Sequence, residues 1–246
     1  MLSEVAMLPT ERSPREAEPG WSSPRREAVG ALADTALDDS VLADFVRRAT
    51  HILRLHKFAI DEIMTKLRIW SEEFDHIHEH DPIEHITSRV KSPAAIVAKL
   101  RRRGLPVDPE SARRHLDDIA GVRVVCPFVS DVYLIRDLLR RHNMEIVQTK
   151  DYIAAPKPNG YRSLHLIMKV PVALSDHTEL VTVELQIRTI AMDFWAAAEH
   201  ELFYKSGGAV PPEFAAELKA AAEIAAALDA RMLALHQRSR NEQSAD

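Results

Sequence analysis

Two neighbouring stretches of the chain concentrate side chains that can bind phosphate or accept a proton. Residues 157–165 read Lys-Pro-Asn-Gly-Tyr-Arg-Ser-Leu-His, and residues 181–188 read Val-Thr-Val-Glu-Leu-Gln-Ile-Arg. Apolar and polar residues alternate in the second stretch, which predicts a strand with one core face and one polar face. Glu184, Gln186 and Arg188 would lie side by side on the polar face, and buried polar or charged side chains of this kind need hydrogen-bond partners or a ligand. These residue types suit an enzyme that handles phosphate, although an edge strand with a solvated face has the same pattern.

The first stretch predicts a tight turn and a second strand. A Pro-Asn-Gly turn at 158–160 leads directly into the apolar run 163–170. If the two strands are neighbours, His165 lies beside the polar face that carries Glu184, and the turn holds Tyr161 at the mouth of its strand. The alternatives are a core histidine with satisfied hydrogen bonds and a half-buried turn tyrosine.

Six segments of the chain match one protein family in the same order. They are the two stretches above and residues 88–99, 118–125, 151–157 and 192–205. Through them the chain resembles the synthetase domain of the RelA/SpoT family, specifically the single-domain small alarmone synthetases, from about residue 40 to about 236. The resemblance implies a nucleotidyltransferase-like α/β fold, with a mixed sheet of about five strands flanked by helices, a long N-terminal helix and C-terminal helices. The chain has no Gly-rich Walker sequence, which agrees with that fold.

The resemblance implies a transfer between two nucleotides. Family members move the β,γ-pyrophosphoryl group of ATP to the 3′-hydroxyl of GTP or GDP, which makes the alarmone (p)ppGpp of the stringent response. The chain is too short to add the hydrolase domain of the long members. One alternative is a toxic small synthetase that modifies the 3′ end of tRNA. Another is a non-catalytic regulator that binds nucleotide or RNA.

The resemblance also assigns roles to two carboxylates. Asp118 would be the principal Mg²⁺ ligand, and Glu184 would be the base and a second metal contact. Asp118 also suits a turn or cap before a strand, and the adjacent Asp117 is its rival for the metal. The family pattern places the acid directly before Ile-Ala-Gly-Val-Arg, which favours Asp118.

Cations and one aromatic ring would bind the two nucleotides. By resemblance, Arg89 and Arg123 would stack on the adenine of ATP, and Tyr161 would stack on guanine. The other ATP contacts would be Lys91, Ser92, Lys99, Arg102 and Arg103. The other contacts to GTP or GDP would be Lys157, Asn159, His165 and Gln186. Without a nucleotide, Ser92 would only cap a helix and the Lys/Arg run would be a solvated face.

Composition limits the class of protein. With 246 residues, 46% of them apolar, the chain can build one sizeable domain. A net charge of −5 argues against nucleic-acid binding through a global basic field, although residues 99–103 form a local basic cluster. A single cysteine, Cys126, excludes a disulfide framework within the chain and suits packing. No apolar stretch approaches the roughly 18 residues of a membrane span, so we expect a cytoplasmic protein.

Local patterns divide the chain into a tail, a domain and a short end. Residues 1–38 should be a disordered tail, residues 39–238 the synthetase domain, and residues 239–246 a flexible end. Apolar spacings of three and four predict one long helix from Ser40 to Ile77. Further helices are expected at 92–103, 130–142, 189–205 and 211–238, and strands at 121–126, 145–150, 163–170 and 181–188.

Two further expectations concern partners and metals. The long first helix and the Ala-rich C-terminal helices should mediate self-association, and the resemblance implies a homotetramer, with an alarmone or single-stranded RNA as candidate regulators. The histidines at 76, 78, 80 and 85 invite a metal interpretation. On a helix, His76 and His80 would share a face, but spacing fixes no third ligand.

Overall fold

The computed structural model describes residues 39–77, 80–142, 144–205 and 212–243. In chain order the elements are α1 (Asp39–Ile77), β1 (His85–Val90), α2 (Pro93–Arg102), α3 (Pro109–His115), β2 (Ala120–Cys126), α4 (Val129–Arg141), β3 (Glu145–Asp151), β4 (Leu164–Ala173), β5 (Thr178–Thr189), α5 (Ile190–Lys205) and α6 (Pro212–Gln243). This is the predicted α/β architecture, with a five-stranded sheet flanked by helices. The expected disordered tail, residues 1–38, lies outside the described residues.

The long helix α1 forms because its apolar residues recur every three or four positions along one face. Ala59, Ile63 and Leu67 on that face are buried in the main core. His56 takes a place in the same face, with its ring Nδ1 2.7 Å from the carbonyl oxygen of Ile52. Burial lowers the pKa of His56, so the ring packs as a neutral core residue.

The sheet has the strand order β1-β2-β5-β4-β3, which puts β5 at its centre. The pair β2 and β5 is parallel and the other pairs are antiparallel, so the sheet is mixed as predicted. Alternate residues of β5, such as Val183, Leu185 and Ile187, are fully buried in a core that α1 and α4 also build. The residues between them point to the opposite side, called here the polar face. The alternation predicted for residues 181–188 is confirmed.

Two short helices between β1 and β2 lead the chain into β2. Ser92 is the N-cap of α2, and its Oγ accepts a hydrogen bond from the Ala95 N–H at 3.3 Å. Gly104 follows α2 with a φ of 66°, which suits the residue after a helix. Asp108 caps α3 with a 2.8 Å bond to the N–H of Ser111. The sequence predicted α2 with both signals, but it did not predict α3 or the edge strand β1.

The C-terminal helix supports the turn that precedes β4. Thr189, at the end of β5, donates a 2.7 Å hydrogen bond from Oγ1 to Asp229 of α6. Gly160 lies so close to α6 that a Cβ at this position would come within 2.5 Å of the Ala222 Cβ. Its φ of 91° is also a conformation that favours glycine. The turn at 158–160 is therefore packed directly against α6.

The last helix is longer than expected, because α6 runs to Gln243 whereas the pattern predicted an end near Arg238. Cys126 is fully buried, in agreement with a packing role, and burial raises the pKa of its thiol. Within the described ranges, no helix combines the length and hydropathy needed to cross a bilayer.

Candidate active site

The polar face of the sheet brings together predicted site residues from three strands. Gly121 of β2 is the register partner of Glu184 of β5, and His165 of β4 is the partner of Gln186 of β5. Register partners on adjacent strands point their side chains to the same face. The predicted proximity of His165 and Glu184 is confirmed, since His165 Nδ1 lies 3.2 Å from Glu184 Oε1.

The Glu184 carboxylate is held at both of its oxygens. His165 contacts Oε1, and Gln186 Nε2 donates a 3.0 Å hydrogen bond to Oε2. Burial by itself would raise the pKa of Glu184, but the hydrogen bond and charge of His165 and the bond from Gln186 outweigh it and leave the pKa below its usual value. Glu184 is therefore an oriented, ionised carboxylate at neutral pH.

The Tyr161 hydroxyl connects His165 to a buried arginine. It lies 2.7 Å from His165 Nε2 and accepts a 2.6 Å hydrogen bond from Arg188 Nη2. If the Tyr161 O–H donates its hydrogen bond to Nε2, the ring carries its own proton on Nδ1 and the Nδ1–H donates to Glu184. Arg188, Tyr161, His165 and Glu184 thus form one continuous hydrogen-bonded chain, which fixes the orientation of the imidazole.

The turn at 158–160 places a cation over two aromatic rings. Lys157 Nζ lies 4.7 Å from the ring centroids of both Tyr152 and Tyr161. Asn159 stabilises the turn, because its Oδ1 accepts a 3.2 Å hydrogen bond from the Tyr161 N–H. A purine that stacks on Tyr161 must compete with Lys157 for the space over the ring.

Asp118 lies in the turn before β2, between two lysines. Its Oδ2 is 2.9 Å from Lys91 Nζ and 2.6 Å from Lys99 Nζ. Burial by itself would raise the pKa of Asp118, but hydrogen bonds from the two lysines and their charges lower it to about 2. The adjacent Asp117 is exposed to solvent. Of the two acids, Asp118 is the one that the structure surrounds with predicted ATP contacts.

The oxygens near Asp118 suit a hard cation. Asp118 Oδ1 is buried without a hydrogen-bond partner. The negative charge of Asp118 also lies close enough to Glu184 to offset part of the lowering of the Glu184 pKa. Among the described residues, no cluster of three or more His, Cys, Asp or Glu side chains is arranged to hold a metal. Mg²⁺ needs only one or two carboxylates, together with phosphate oxygens and waters. The donor set therefore fits a magnesium ion that arrives with a nucleotide.

The arginines predicted to bind ATP fall into two groups. Arg123 lies on β2 at the polar face, and Arg89 lies on the adjacent strand β1. Arg102 lies on a different element, at the end of α2, and like Arg89 it is exposed. Arg103 donates a 2.8 Å hydrogen bond from Nη1 to the carbonyl of His115, so its side chain contacts the end of α3. The structure thus brings Arg89 and Arg123 to neighbouring strands, but it does not gather all four arginines.

Sequence reasoning assigned no role to three residues that the structure places in this network. Arg188 is buried and donates hydrogen bonds to Tyr161, Gln186 and Asp193. Tyr152 packs edge-on against the ring of His165. The position of Arg188 in the alternating strand was a signal that could have identified it. Asp193 and Tyr152 reach the site only through tertiary contacts, and the sequence patterns contain no comparable signal for them.

The histidine run before β1 makes a packing contact. His80 Nε2 lies 2.9 Å from Asp131 Oδ2 at the start of α4. Its ring centroid is 4.8 Å from that of His236 of α6. Residue 78 lies outside the described residues, and His76 is exposed. His80 thus links α4 to α6.

Comparison with known proteins gives matches over most of the chain. A model of the region found in RelA / SpoT proteins matches residues 88–209. GTP pyrophosphokinase YwaC of Bacillus subtilis is 49% identical over 207 residues, which cover 83% of this chain and 97% of that protein. Small alarmone synthetase 2 of Bacillus subtilis superposes with a TM-score of 0.70 at 49% identity, over 77% of this chain and 98% of that one. Small alarmone synthetase 1 of the same species, solved with its product pppGpp, has a TM-score of 0.69 at 37% identity, over 74% of this chain and 93% of that one.

Proposed function

The chain belongs to the RelA/SpoT family, and from this premise we propose that it is a small alarmone synthetase, a GTP pyrophosphokinase. It transfers the β,γ-pyrophosphoryl group of ATP to the 3′-hydroxyl of GTP or GDP, which yields (p)ppGpp and AMP. The observation that carries this proposal is the ionised Glu184, held by His165 and Gln186 on the polar face. A carboxylate oriented in this way is suited to take the proton of an attacking hydroxyl.

Glu184 acts as the base of the transfer. The 3′-oxygen of the acceptor attacks the β-phosphorus of ATP while its proton passes to Glu184. The bond between the β-phosphorus and the α,β-bridging oxygen breaks, and AMP leaves with the electron pair. The bonds of His165 to Glu184 and Tyr161 keep the carboxylate aimed during this step. A positioned base of this kind typically contributes about 10²- to 10⁴-fold in rate.

Lys91, Lys99 and Asp118 form the phosphate-binding side of the site. Both lysines pair with Asp118 in the structure, and the triphosphate of ATP offers them a larger number of anionic oxygens. Asp118, with Glu184 as a second contact, would hold Mg²⁺. The bound ion supplies positive charge that offsets the β- and γ-phosphates and polarises the bond to be attacked.

The two nucleotides approach from different parts of the polar face. We place the adenine of ATP between Arg89 and Arg123, because a planar guanidinium stacks well on a purine. Guanine stacks on Tyr161, and Lys157 then turns from the tyrosine ring towards the acceptor phosphates. Ser92, Arg102 and Arg103 remain proposed ATP contacts, and Asn159, His165 and Gln186 remain proposed acceptor contacts.

Changing Tyr161 should separate acceptor binding from catalysis. Tyr161→Ala removes a base-stacking ring worth about 1–3 kcal/mol, so we expect the KM for GTP or GDP to rise about 5- to 150-fold with little change for ATP. Tyr161→Phe keeps the ring but loses the hydroxyl that contacts His165 and Arg188. That variant should lose kcat, and its acceptor KM should rise much less than that of Tyr161→Ala because the stacking ring remains.

Steady-state kinetics with each nucleotide varied in turn would measure both effects. A Tyr161→Ala enzyme with an increased KM for ATP and an unchanged KM for the acceptor would reverse the assignment of the two nucleotides.

The identity of the acceptor distinguishes the proposal from its two alternatives. Purified protein should be incubated with ATP labelled in the β-phosphate and with GTP, GDP, GMP or deacylated tRNA. Label on GTP or GDP is expected, and the net charge of −5 agrees with a small nucleotide better than with tRNA. Label on tRNA would indicate the toxic type of small synthetase. Nucleotide binding without any transfer would indicate a regulator.

Self-association is the second part of the proposal. One face of α6 carries Ile224, Leu228, Met232 and Leu235, each at least 45% exposed and spaced three or four residues apart. We place α1 and this stripe of α6 at the contacts between copies in a homotetramer. The protein would work in the cytoplasm, with an alarmone or single-stranded RNA as candidate regulators.

Light scattering at micromolar concentration should give a mass above that of the monomer. Leu228→Glu puts a charge in the centre of the stripe and should shift the mass towards the monomer. Ala230→Glu, on a different side of the same helix, is the matched control and should not. A monomeric mass for the unaltered protein would remove this part of the proposal.

A further inference from the structure

One carboxylate oxygen in the site is shared by two arginines. Asp193 lies in the first turn of α5, and its Oδ1 accepts a 3.1 Å hydrogen bond from Arg188 Nη1. Arg123 Nη1 lies at the same distance from the same oxygen. Arg188 comes from β5 and Arg123 from the adjacent strand β2. Asp193 therefore links residues of the two strands at one point.

The two arginines are held very differently. Only 6% of the Arg188 side chain is exposed, and all three of its nitrogens donate, to Ser163, Tyr161, Gln186 and Asp193. The Arg123 side chain is 40% exposed and has the ion pair with Asp193, while its Nε is buried without a hydrogen-bond partner. Arg188 is thus firmly fixed, whereas Arg123 is the more weakly bound partner of the carboxylate.

Two cations beside one anion leave an excess positive charge in a partly buried place. The pKa of Arg123 is lowered, first by burial and second by the positive charge of Arg188. The second cause is the repulsion between the two arginines. A ligand that draws Arg123 away relieves the repulsion and leaves Asp193 to neutralise Arg188 alone. A guanidinium whose carboxylate partner is no longer shared is held more firmly in one orientation, so its other N–H groups stay directed at their acceptors. For Arg188 those acceptors are Tyr161 and Gln186 on the acceptor side of the site.

We propose that Asp193 is a positioning residue that couples donor binding to acceptor binding. The inference rests on the proposed function, which places adenine on Arg123 and guanine on Tyr161. ATP stacks on Arg123 and draws it from Asp193, the bond between Asp193 and Arg188 tightens, and the Tyr161 side of the site becomes better ordered. ATP therefore increases the affinity for the acceptor, and by thermodynamic linkage the acceptor increases the affinity for ATP by the same factor.

Calorimetry with two nucleotides measures this coupling directly. The Kd of GDP is determined with Mg²⁺, with and without saturating α,β-methylene ATP, whose α,β-bridge resists cleavage. In the unaltered protein the analogue should tighten GDP binding about 5-fold or more, and in Asp193→Asn the effect should fall below about 2-fold. Asp137→Asn on α4 is the matched control, because it removes a carboxylate that pairs with an arginine elsewhere in the fold. Its coupling should equal that of the unaltered protein.

Arg123→Met provides a test that a purely structural role of Asp193 would not satisfy. Methionine keeps a long side chain without the charge, so it should mimic the state in which Arg123 has left the carboxylate. GDP should bind this variant about 5-fold tighter than the unaltered protein when no ATP analogue is present, while the analogue itself binds more weakly. The GDP affinity of Arg123→Met tests the role of Asp193 even if Asp193→Asn does not fold.

The outcomes separate the inference from the proposed function. Unchanged coupling in a folded Asp193→Asn, or weaker GDP binding in Arg123→Met, would overturn the role of Asp193. An unaltered protein that binds both nucleotides without any coupling would also overturn it and leave the proposed function intact. An unaltered protein that binds neither nucleotide would refute the proposed function.

Discussion

Replacing Glu184 with glutamine should lower the rate of pyrophosphoryl transfer by at least about 10²-fold, while both nucleotides still bind. The amide keeps the shape of the side chain but cannot accept the proton of the 3′-hydroxyl. Its oxygen can still accept the hydrogen bond from Gln186, and its nitrogen can donate to His165 Nδ1 when the ring carries its proton on Nε2, so the local structure should survive. Single-turnover kinetics, together with calorimetry of GDP and α,β-methylene ATP, would separate the loss of chemistry from any loss of binding.

Glu145→Gln is the matched control for that experiment. Glu145 is an exposed carboxylate at the start of β3, so its replacement should leave the rate unchanged. A Glu184→Gln enzyme that keeps more than about a tenth of the original turnover would show that another group accepts the proton.

Replacing Asp118 with asparagine should also lower kcat by about 10²-fold or more, because a metal ion that offsets phosphate charge contributes several kcal/mol. A neutral amide is a weaker ligand for Mg²⁺, so a higher Mg²⁺ concentration should restore part of the rate. ATP binding should remain, because Lys91 and Lys99 lose the carboxylate that pairs with both of them and keep their charge for phosphate. Rates measured over a series of Mg²⁺ concentrations would test all three expectations.

The neighbouring acid is a direct control for the assignment of Asp118. Asp117 is exposed, so Asp117→Asn should retain the rate of the unaltered enzyme. An inactive Asp117→Asn beside an active Asp118→Asn would place the metal ligand one residue earlier than we propose.

The features that could be predicted from the sequence are those whose signals are local. Strand periodicity in residues 181–188 was sufficient for β5 and its polar face, because alternate residues of any strand point to opposite sides. The turn at 158–160 was sufficient to place His165 on the next strand. The caps of α2 were visible as a serine before a proline and a glycine after a basic turn.

The elements that escaped prediction are short. The edge strand β1 has six residues, His-Ile-Thr-Ser-Arg-Val, and of these only Ile86 is buried, so its alternation is too weak to recognise. The helix α3 has seven residues, about two turns, which is too short for a helical period to emerge. Both elements depend on contacts with the rest of the sheet and with α1.

The parts of the site that escaped prediction are contacts between distant residues. Asp193 meets Arg123 although the two lie on different elements, far apart in sequence. The position of Lys157 over the rings of Tyr152 and Tyr161 depends on how the turn packs against α6. No period or turn signature encodes such contacts, because they arise only when the sheet is assembled.

The central claim is that the chain moves a pyrophosphoryl group intact to a guanosine 3′-hydroxyl, with Glu184 as the base. It is tested most directly by identifying both products of a reaction between GDP and ATP labelled in the β-phosphate. The account predicts equal amounts of AMP and of a labelled guanosine nucleotide with two phosphates at its 3′-oxygen, and at most about a hundredth of that rate with Glu184→Gln. Formation of ADP with a single phosphate transferred, or full product formation by Glu184→Gln, would contradict it.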